Sequence, residues 1–192
     1  MPVDRVAARQ RVQWGVTSLL GVALLGVLIA AQPSRAQDQD AQIHSGAVEL
    51  GIAGALTSIE GETQRSIFLR TGSFLGLPKG LFGFEGEVAH HHVHDLDRLD
   101  LLGSVAWVFA IPNTSVHPYA FASGGIREEW IGSFRQSRIP IGGGIGLRAL
   151  EGSRAGFRLD YRALRITDDP VEDYTEHQVS LGLSIFFRNP SG

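Results

Sequence analysis

The densest group of potential metal ligands in the chain consists of four histidines within five residues. These are His90, His91, His92 and His94, and Asp95 follows directly. Because alternate residues of a strand share a face, His90, His92 and His94 could present three imidazoles to one zinc or copper ion. The sequence shows no separate carboxylates that would orient these imidazoles. We therefore interpret the histidines as the solvated start of a polar loop, and we assign no metal ion and no cofactor.

A serine and a histidine near the C-terminus could form a nucleophile and its general base. His177 and Ser180 lie three residues apart in a segment of strand-like composition. A spacing of three puts two side chains on opposite faces of a strand, so the pair cannot meet without a bulge. The sequence therefore predicts no catalytic residues and a protein that is not an enzyme.

A glycine-rich run at 142–146, with the sequence GGGIG, could suggest a phosphate-binding loop. It lacks the lysine and the following helix that such a loop needs to hold a phosphate. We interpret these glycines as part of a strand, where the missing side chains leave room for large groups on opposite strands.

The segments that must position these residues alternate in hydrophobicity with a period of two. The clearest of them runs from 178 to 187, where Val179, Leu181, Leu183, Ile185 and Phe187 share one face. Polar or small residues occupy the other face up to Ser184, and Phe186 is the one exception. Since strand side chains switch faces at every residue, this pattern predicts a strand with one apolar face, long enough for a tilted crossing of a bilayer.

Seven further segments show a similar alternation. The second strand in chain order, at 65–75, has two alternating patterns that compete. Ile67 and Leu69 follow one pattern, Phe68 and Phe74 follow the other, and a bulge would reconcile them. The apolar faces of the other six are Val48, Leu50, Ile52, Leu56; Phe82, Phe84, Val88; Leu99, Leu101, Val105, Trp107, Phe109; Tyr119, Phe121; Ile139, Ile141, Ile145, Leu147; and Phe157, Leu159, Tyr161, Ala163.

These eight strands predict an all-β fold, an eight-stranded antiparallel up-and-down transmembrane β-barrel over residues 45–188. Short periplasmic connections are expected at 77–80, 112–117 and 150–155, and longer external loops at 90–98, 127–137 and 165–177. An aromatic girdle is expected near the periplasmic ends of the strands. It would consist of Phe82, Phe84, Trp107, Phe109, Tyr119, Phe157 and Phe187.

If the apolar faces meet lipid, charged side chains must line the interior. The seventh strand shows this best, because Arg158, Asp160 and Arg162 alternate with large apolar residues. Such charges have to pair in a confined interior. The sequence predicts a plugged, charge-paired barrel. Its interior charges would be Glu49, Glu85, Glu87 and Asp160 with Arg138, Arg148, Arg158 and Arg162.

The start of the chain predicts export. Arg5, Arg9 and Arg11 precede an apolar run at 15–31, and Ser34-Arg35-Ala36 suits cleavage after residue 36, with one uncleaved transmembrane helix as the alternative. Residues 1–36 would be the signal peptide, 37–44 a short N-terminal segment and 189–192 a C-terminal tail. Without residues 1–36 the chain carries 13 basic and 19 acidic groups, a net charge of −6, which argues against a nucleic-acid partner. The absence of cysteine excludes disulfides and a lipoprotein anchor.

Several segments carry a resemblance to a known family. They are PYAFASGG at 118–125, GGGIG at 142–146, FRLDYR at 157–162 and the strand ending IFF at 185–187. They resemble the closing strands of the small OmpA/OmpX-like outer-membrane β-barrel proteins. The resemblance implies a monomer in the outer membrane, inserted by the barrel-assembly machinery and in contact with outer-membrane lipid and lipopolysaccharide. The chain departs from the pattern in that Phe187 is not its last residue.

The predicted function is a structural or surface-interaction role, with any specificity in the external loops. Trp130, Phe134 and Tyr174 are the exposed aromatic residues expected to make external contacts. The alternatives are a lipid A-modifying barrel enzyme and a narrow channel. A soluble lipocalin-like barrel fits poorly, since it would need an apolar interior and a polar outside.

Overall fold

The computed structural model describes residues 45–59, 62–77, 80–93, 96–109, 111, 114–151, 154–167 and 173–187. The predicted signal peptide, the segment at 37–44 and the tail at 189–192 lie outside these residues. So do His94 and Asp95 of the histidine group. Within the described ranges, no helix is long and apolar enough to cross a membrane.

Eight strands make up the described chain, as the alternating pattern predicts. They are β1 (Val48–Ile59), β2 (Glu62–Leu77), β3 (Gly80–Val93), β4 (Leu96–Phe109), β5 (Val116–Ile131), β6 (Phe134–Glu151), β7 (Ala155–Thr167) and β8 (Tyr174–Phe187). Each strand pairs antiparallel with its sequence neighbours, and β8 pairs with β1 to close the barrel. Closure leaves no strand edge along the barrel wall, so the backbone groups are satisfied without water. The predicted all-β, up-and-down barrel is confirmed.

The strands are strongly staggered around the barrel. A path along the register partners that starts at Val48 returns to β1 at Ser58, ten residues further along the strand. It passes through Ser73, Phe84, Val105, Ala122, Gly143, Ala163 and His177. This stagger tilts the strands against the barrel axis and leaves an interior that side chains can fill.

An apolar belt covers the outside of the barrel. Leu50, Ile67, Val105, Ile145 and Leu183 are among the large apolar side chains that are about half exposed on it. Phe84, Phe109, Phe157 and Phe187 lie outward near the periplasmic end, as expected of an aromatic girdle. A closed sheet with this belt has the outer surface of a transmembrane β-barrel.

Two predictions about the strands are wrong. Tyr119 was expected in the girdle and Phe121 on the same outer face, but both point inward and are buried. β2 needs no bulge, because its register with β1 and β3 is continuous, and Phe68 and Phe74 lie inside opposite the outward Ile67 and Leu69. In both cases large aromatic side chains fill the interior, so hydrophobicity alone does not mark the outer face.

The predicted external loops are largely strand. β3 continues to Val93 and β4 begins at Leu96, while β5 and β6 are joined by a two-residue turn at Gly132 and Ser133. Gly132 has a φ of 60°, in the left-handed region that glycine adopts without strain. The segment at 127–137 therefore forms a hairpin. Its two arms, 127–131 and 134–138, pair with each other beyond the apolar belt.

Candidate functional site

The interior near the periplasmic end is closed by apolar side chains. Phe74, Val108, Tyr119, Leu150 and Phe186 belong to one buried cluster there. The rings of Phe74 and Phe186 lie 6.3 Å apart, and those of Tyr119 and Phe121 lie 5.7 Å apart. These side chains form a packed base at the periplasmic end of the interior, where His117 is also buried.

Above the base, Arg148 and Arg158 are enclosed by carboxylates. Arg148 Nη1 donates to Glu49 Oε2 at 2.7 Å, and its Nη2 donates to Glu85. Arg158 Nη2 lies 2.9 Å from Glu85 Oε2, and its Nε donates to Asp160 at 3.0 Å. Each of these side chains is almost fully buried.

Arg70 and Arg162 complete this central charge cluster. Arg70 donates to Glu87 at 2.7 Å and to Asp160 at 2.9 Å. Arg162 forms a two-point pair with Glu87, at 2.9 and 2.8 Å. The central cluster thus holds four arginines and four carboxylates, with formal charges that cancel. Such two-point arginine–carboxylate pairs fix geometry as well as charge.

Aromatic rings support the same guanidinium groups from the base. The guanidinium carbon of Arg148 lies 4.8 Å from the ring centroids of both Phe74 and Tyr119, and that of Arg158 lies 4.7 Å from Tyr119. A cation above an aromatic face is attracted by the ring quadrupole, more strongly where water is excluded. The inward placement of Tyr119 therefore serves the central cluster.

An apolar layer fills part of the interior between the central cluster and a second charged group nearer the external end. Ala53, Ala55, Phe68 and Ala89 form one part of it, and Leu102, Leu164 and Ile166 form the other. Along β3, for example, Ala89 lies between Glu87 and His91 on the inner face. On β8, however, the inner face stays polar between the clusters, where Gln178 lies between Ser180 and Glu176.

The second group, the upper cluster, contains His91, Arg98, Asp100, Arg127 and Glu176. Arg127 donates to Asp100 at 2.8 Å and to Glu176 at 2.6 Å, and Arg98 donates to Glu176 at 3.0 Å. His91 Nε2 lies 3.4 Å from Asp100 Oδ2. Two arginines and two carboxylates again cancel, with the histidine as a buried polar neighbour.

The structure places the predicted interior charges in two different positions. Seven of the eight lie in the central cluster, but Arg138 does not. It lies partly exposed near the external end, where its Nε is 3.3 Å from Glu129 and its Nη1 donates to Tyr174 at 3.1 Å. Arg70 takes its place in the central cluster. The sequence did not predict this, because it left open which residues of β2 point inward.

Sequence reasoning also missed most of the upper cluster. Arg98 and Asp100 on β4 and Arg127 on β5 have the same parity as the inward Leu102 and Phe121. Because the strands extend past the apolar belt, this parity continues into the segments that were predicted as loops. Extending the period of two through 90–98 and 127–137 would have found Arg98 and Arg127.

The candidate catalytic pair does not assemble. His177 points outward and accepts or donates a 2.8 Å hydrogen bond with the Tyr161 hydroxyl, while Ser180 points inward and donates to Asp160 at 3.3 Å. In the histidine group, His91 is buried and His90 is exposed beside Asp97. Among the residues that the structure describes, no three potential ligands are grouped to hold a metal ion.

The three predicted contact aromatics differ in exposure. Phe134 is 61 % exposed at the end of the β5–β6 hairpin, and Trp130 is half-buried beneath the guanidinium of Arg135, 5.8 Å from its ring centroid. Tyr174 was expected to be an exposed loop residue, but it begins β8 and packs against Leu102, Leu164 and Ile166. The hydroxyl of Tyr174 accepts a hydrogen bond from Arg138, so the side chain covers the external end of the interior and its ring is not exposed for contact with a partner.

Solved structures show where this fold is known. Neisserial surface protein A has a TM-score of 0.56 and 17% identity, over 73% of this chain and 96% of its own. The N-terminal β-barrel domain of Pseudomonas aeruginosa OprF has a TM-score of 0.56 and 16% identity, over 74% and 98%. The outer membrane protein OprG of the same organism has a TM-score of 0.50 and 10% identity, over 78% and 99%. No family model and no curated protein matches the chain.

Proposed function

From the fold that it shares with the small OmpA/OmpX-like outer-membrane barrels, we propose that this chain is an integral outer-membrane protein whose interior is plugged by paired charges. It acts as a structural or surface-interaction protein through its external hairpins. The outer-membrane neighbours support this localisation. Fold alone does not imply a role, so the argument for the role rests on the interior and the rim.

The observation that carries this proposal is the inversion of the faces. Outside, the belt is apolar and exposed; inside, the central and upper clusters are buried and formally neutral. In water such a belt would be an exposed apolar surface far larger than soluble monomers tolerate. Against hydrocarbon it is the favourable arrangement, because the charges are already paired within the barrel.

The hairpin of β5 and β6 is the part best suited to contact a partner. It extends beyond the apolar belt, and Phe134 presents an exposed aromatic ring next to the pair of Arg135 and Glu128. Exposed aromatic and arginine side chains are frequent anchors of protein interfaces.

We extend the proposal to a monomer that the barrel-assembly machinery inserts. The outward Phe187 at the end of β8 would serve as the insertion signal.

Membrane insertion is tested with site-specific labels, because the chain contains no cysteine. Leu181→Cys and Ser180→Cys are labelled with a nitroxide in protein reconstituted into vesicles, and collision with oxygen and with a water-soluble nickel complex is measured. The label at Leu181 should collide with lipid-dissolved oxygen, whereas the label at the buried Ser180 should not. Purified protein that stays soluble and folded without detergent would overturn the proposal, as would reversed accessibilities.

A further inference from the structure

Polar side chains from three neighbouring strands meet on the outer surface, at the external boundary of the apolar belt. Ser58 of β1 is the register partner of Thr63 on β2 and of His177 on β8. Arg65 lies two residues from Thr63 on the same outward face of β2. Leu56 and Val179 are the neighbouring apolar residues on the belt side. The group therefore lies where hydrocarbon gives way to headgroups.

Arg65 differs from other outward basic side chains at this end of the barrel. His90 lies 3.7 Å from Asp97, Arg135 donates to Glu128 at 2.9 Å, and Arg165 donates to Asp173 at 3.0 Å. Arg65 is exposed and has no such carboxylate among the residues that the structure describes. A planar guanidinium offers several donors at fixed angles, which match phosphate oxygens.

The imidazole of His177 is held on the outer surface by Tyr161. Tyr161 hydroxyl lies 2.8 Å from His177 Nδ1, and the two rings are stacked with an interplanar angle of 17°. With the phenol as donor to Nδ1, the other ring nitrogen, Nε2, carries a proton and can donate a hydrogen bond. His177 lies directly opposite Ser58, at about one strand spacing, roughly 4.8 Å. Arg65 lies opposite Leu56 and therefore diagonally across from Ser58, at roughly 7–8 Å.

We propose that Arg65, Ser58 and His177 bind the phosphate headgroup of an outer-leaflet lipid of the lipid A type. The guanidinium, the hydroxyl and the Nε2 proton supply donors on one face, and the belt beneath them accepts the acyl chains. This inference rests on the proposed membrane function, since only an inserted barrel brings these side chains to headgroup level. A zwitterionic headgroup is less suitable, because its ammonium group would lie beside the guanidinium of Arg65.

The test measures lipid retained by the intact protein. Wild type, Arg65→Gln, His177→Phe and the control Arg135→Gln are reconstituted in phosphatidylcholine vesicles that contain a minor fraction of lipid A, extracted mildly into detergent and weighed by native mass spectrometry. Matched samples contain dephosphorylated lipid A. Arg135 is an equally exposed arginine with a partner of its own, so its loss controls for the change in charge.

Wild type and Arg135→Gln should retain lipid A, and Arg65→Gln should retain it about tenfold less, the loss expected for one charge-assisted hydrogen bond. Dephosphorylated lipid A should bind wild type as weakly as lipid A binds Arg65→Gln. Equal retention by Arg65→Gln and wild type, or no preference for the phosphate, overturns the inference. If inorganic phosphate saturates the site in detergent without lipid, the ligand is free phosphate and the proposal of a lipid headgroup is overturned. A variant that keeps the folded gel mobility before boiling and shifts to the unfolded mobility after boiling is folded, so failure here is distinct from failure of the membrane proposal.

Discussion

At the residue scale, the buried charges of the central cluster depend on one another. Arg148 contacts both Glu49 and Glu85, and all three side chains are almost fully buried. A buried ion pair adds little net stability compared with apolar residues of the same shape. Loss of one member is costly, because its partners remain as uncompensated charges in a dry interior.

Replacement of Arg148 by methionine should therefore lower the free energy of unfolding by about 3–5 kcal/mol, the usual cost of a broken buried pair. Urea-induced unfolding in lipid vesicles, followed by tryptophan fluorescence, measures it. Arg135→Met is the matched control, since that arginine is paired with Glu128 on the exposed hairpin, and its unfolding curve should overlay wild type. An unchanged curve for Arg148→Met would contradict the structural importance of the central cluster.

A second residue-scale prediction concerns the hairpin pair above the belt. The hydrogen bond from Arg135 lowers the pKa of the Glu128 carboxyl. In Arg135→Ala the pKa of Glu128 should rise toward its ordinary value, as measured by carbon NMR of the side-chain carboxyl during a pH titration. Because the folded-state pKa is lowered, the pair contributes above the ordinary titration range of glutamate and is lost as the pH falls through the lowered value. Arg65→Ala, which removes a distant arginine, should leave the titration of Glu128 unchanged.

At the element scale, β6 shows why glycine is abundant inside a narrow barrel. A Cβ at Gly146 would lie 2.5 Å from Tyr119 Cζ and 2.6 Å from Asp160 Oδ1. These are the atoms that support Arg158 from below and from the side. The glycine therefore leaves the space that an inward tyrosine and the central cluster occupy together.

Substitution of Gly146 by alanine should destabilise the barrel by about 1–3 kcal/mol, the cost of overpacking. Gly103 on β4 provides the control, because a Cβ there has Gly124 O as its nearest atom at 3.9 Å. Thermal unfolding in detergent, followed by the loss of the fast-migrating folded band, compares the two variants. Similar stability of Gly146→Ala and Gly103→Ala would show that the interior relaxes around the added methyl group.

At the scale of the whole molecule, the order of layers along the axis decides whether the barrel conducts. The aromatic base, the central cluster, the apolar layer and the upper cluster follow one another from the periplasmic to the external end. An ion would have to break the paired charges of both clusters and pass the packed aromatic base. A continuous open pore is inconsistent with this packing.

The protein should therefore show no steady single-channel steps in planar bilayers, in recordings where a general porin inserted under the same conditions conducts. Protein recovered from the bilayer should retain the folded gel mobility, so that silence is not due to unfolding. Reproducible steps from folded wild-type protein would instead support the narrow channel, and the apolar layer would then have to open.

The sequence by itself determined the fold, because the signal is local. Alternation over ten residues marks an outward face wherever the neighbours are aliphatic, and it placed Leu181, Ile145 and Arg158 on the faces where the structure has them. It placed Tyr119 and Phe121 on the wrong face, and it left the faces of Phe68 and Phe74 open. An aromatic ring suits either a lipid face or a tightly packed interior, so its type does not say which face it takes.

Only the tertiary structure decided which charges meet. Arg148 and Glu49 are 99 residues apart in sequence, and Arg70 and Asp160 are 90 apart. Their contact depends on the closure of β8 on β1 and on the stagger of ten residues around the barrel. The sequence of a single strand predicts neither of these. Alternation fixes the face of each side chain, whereas its height in the barrel, and so its partner, follows from how all eight strands are shifted against one another.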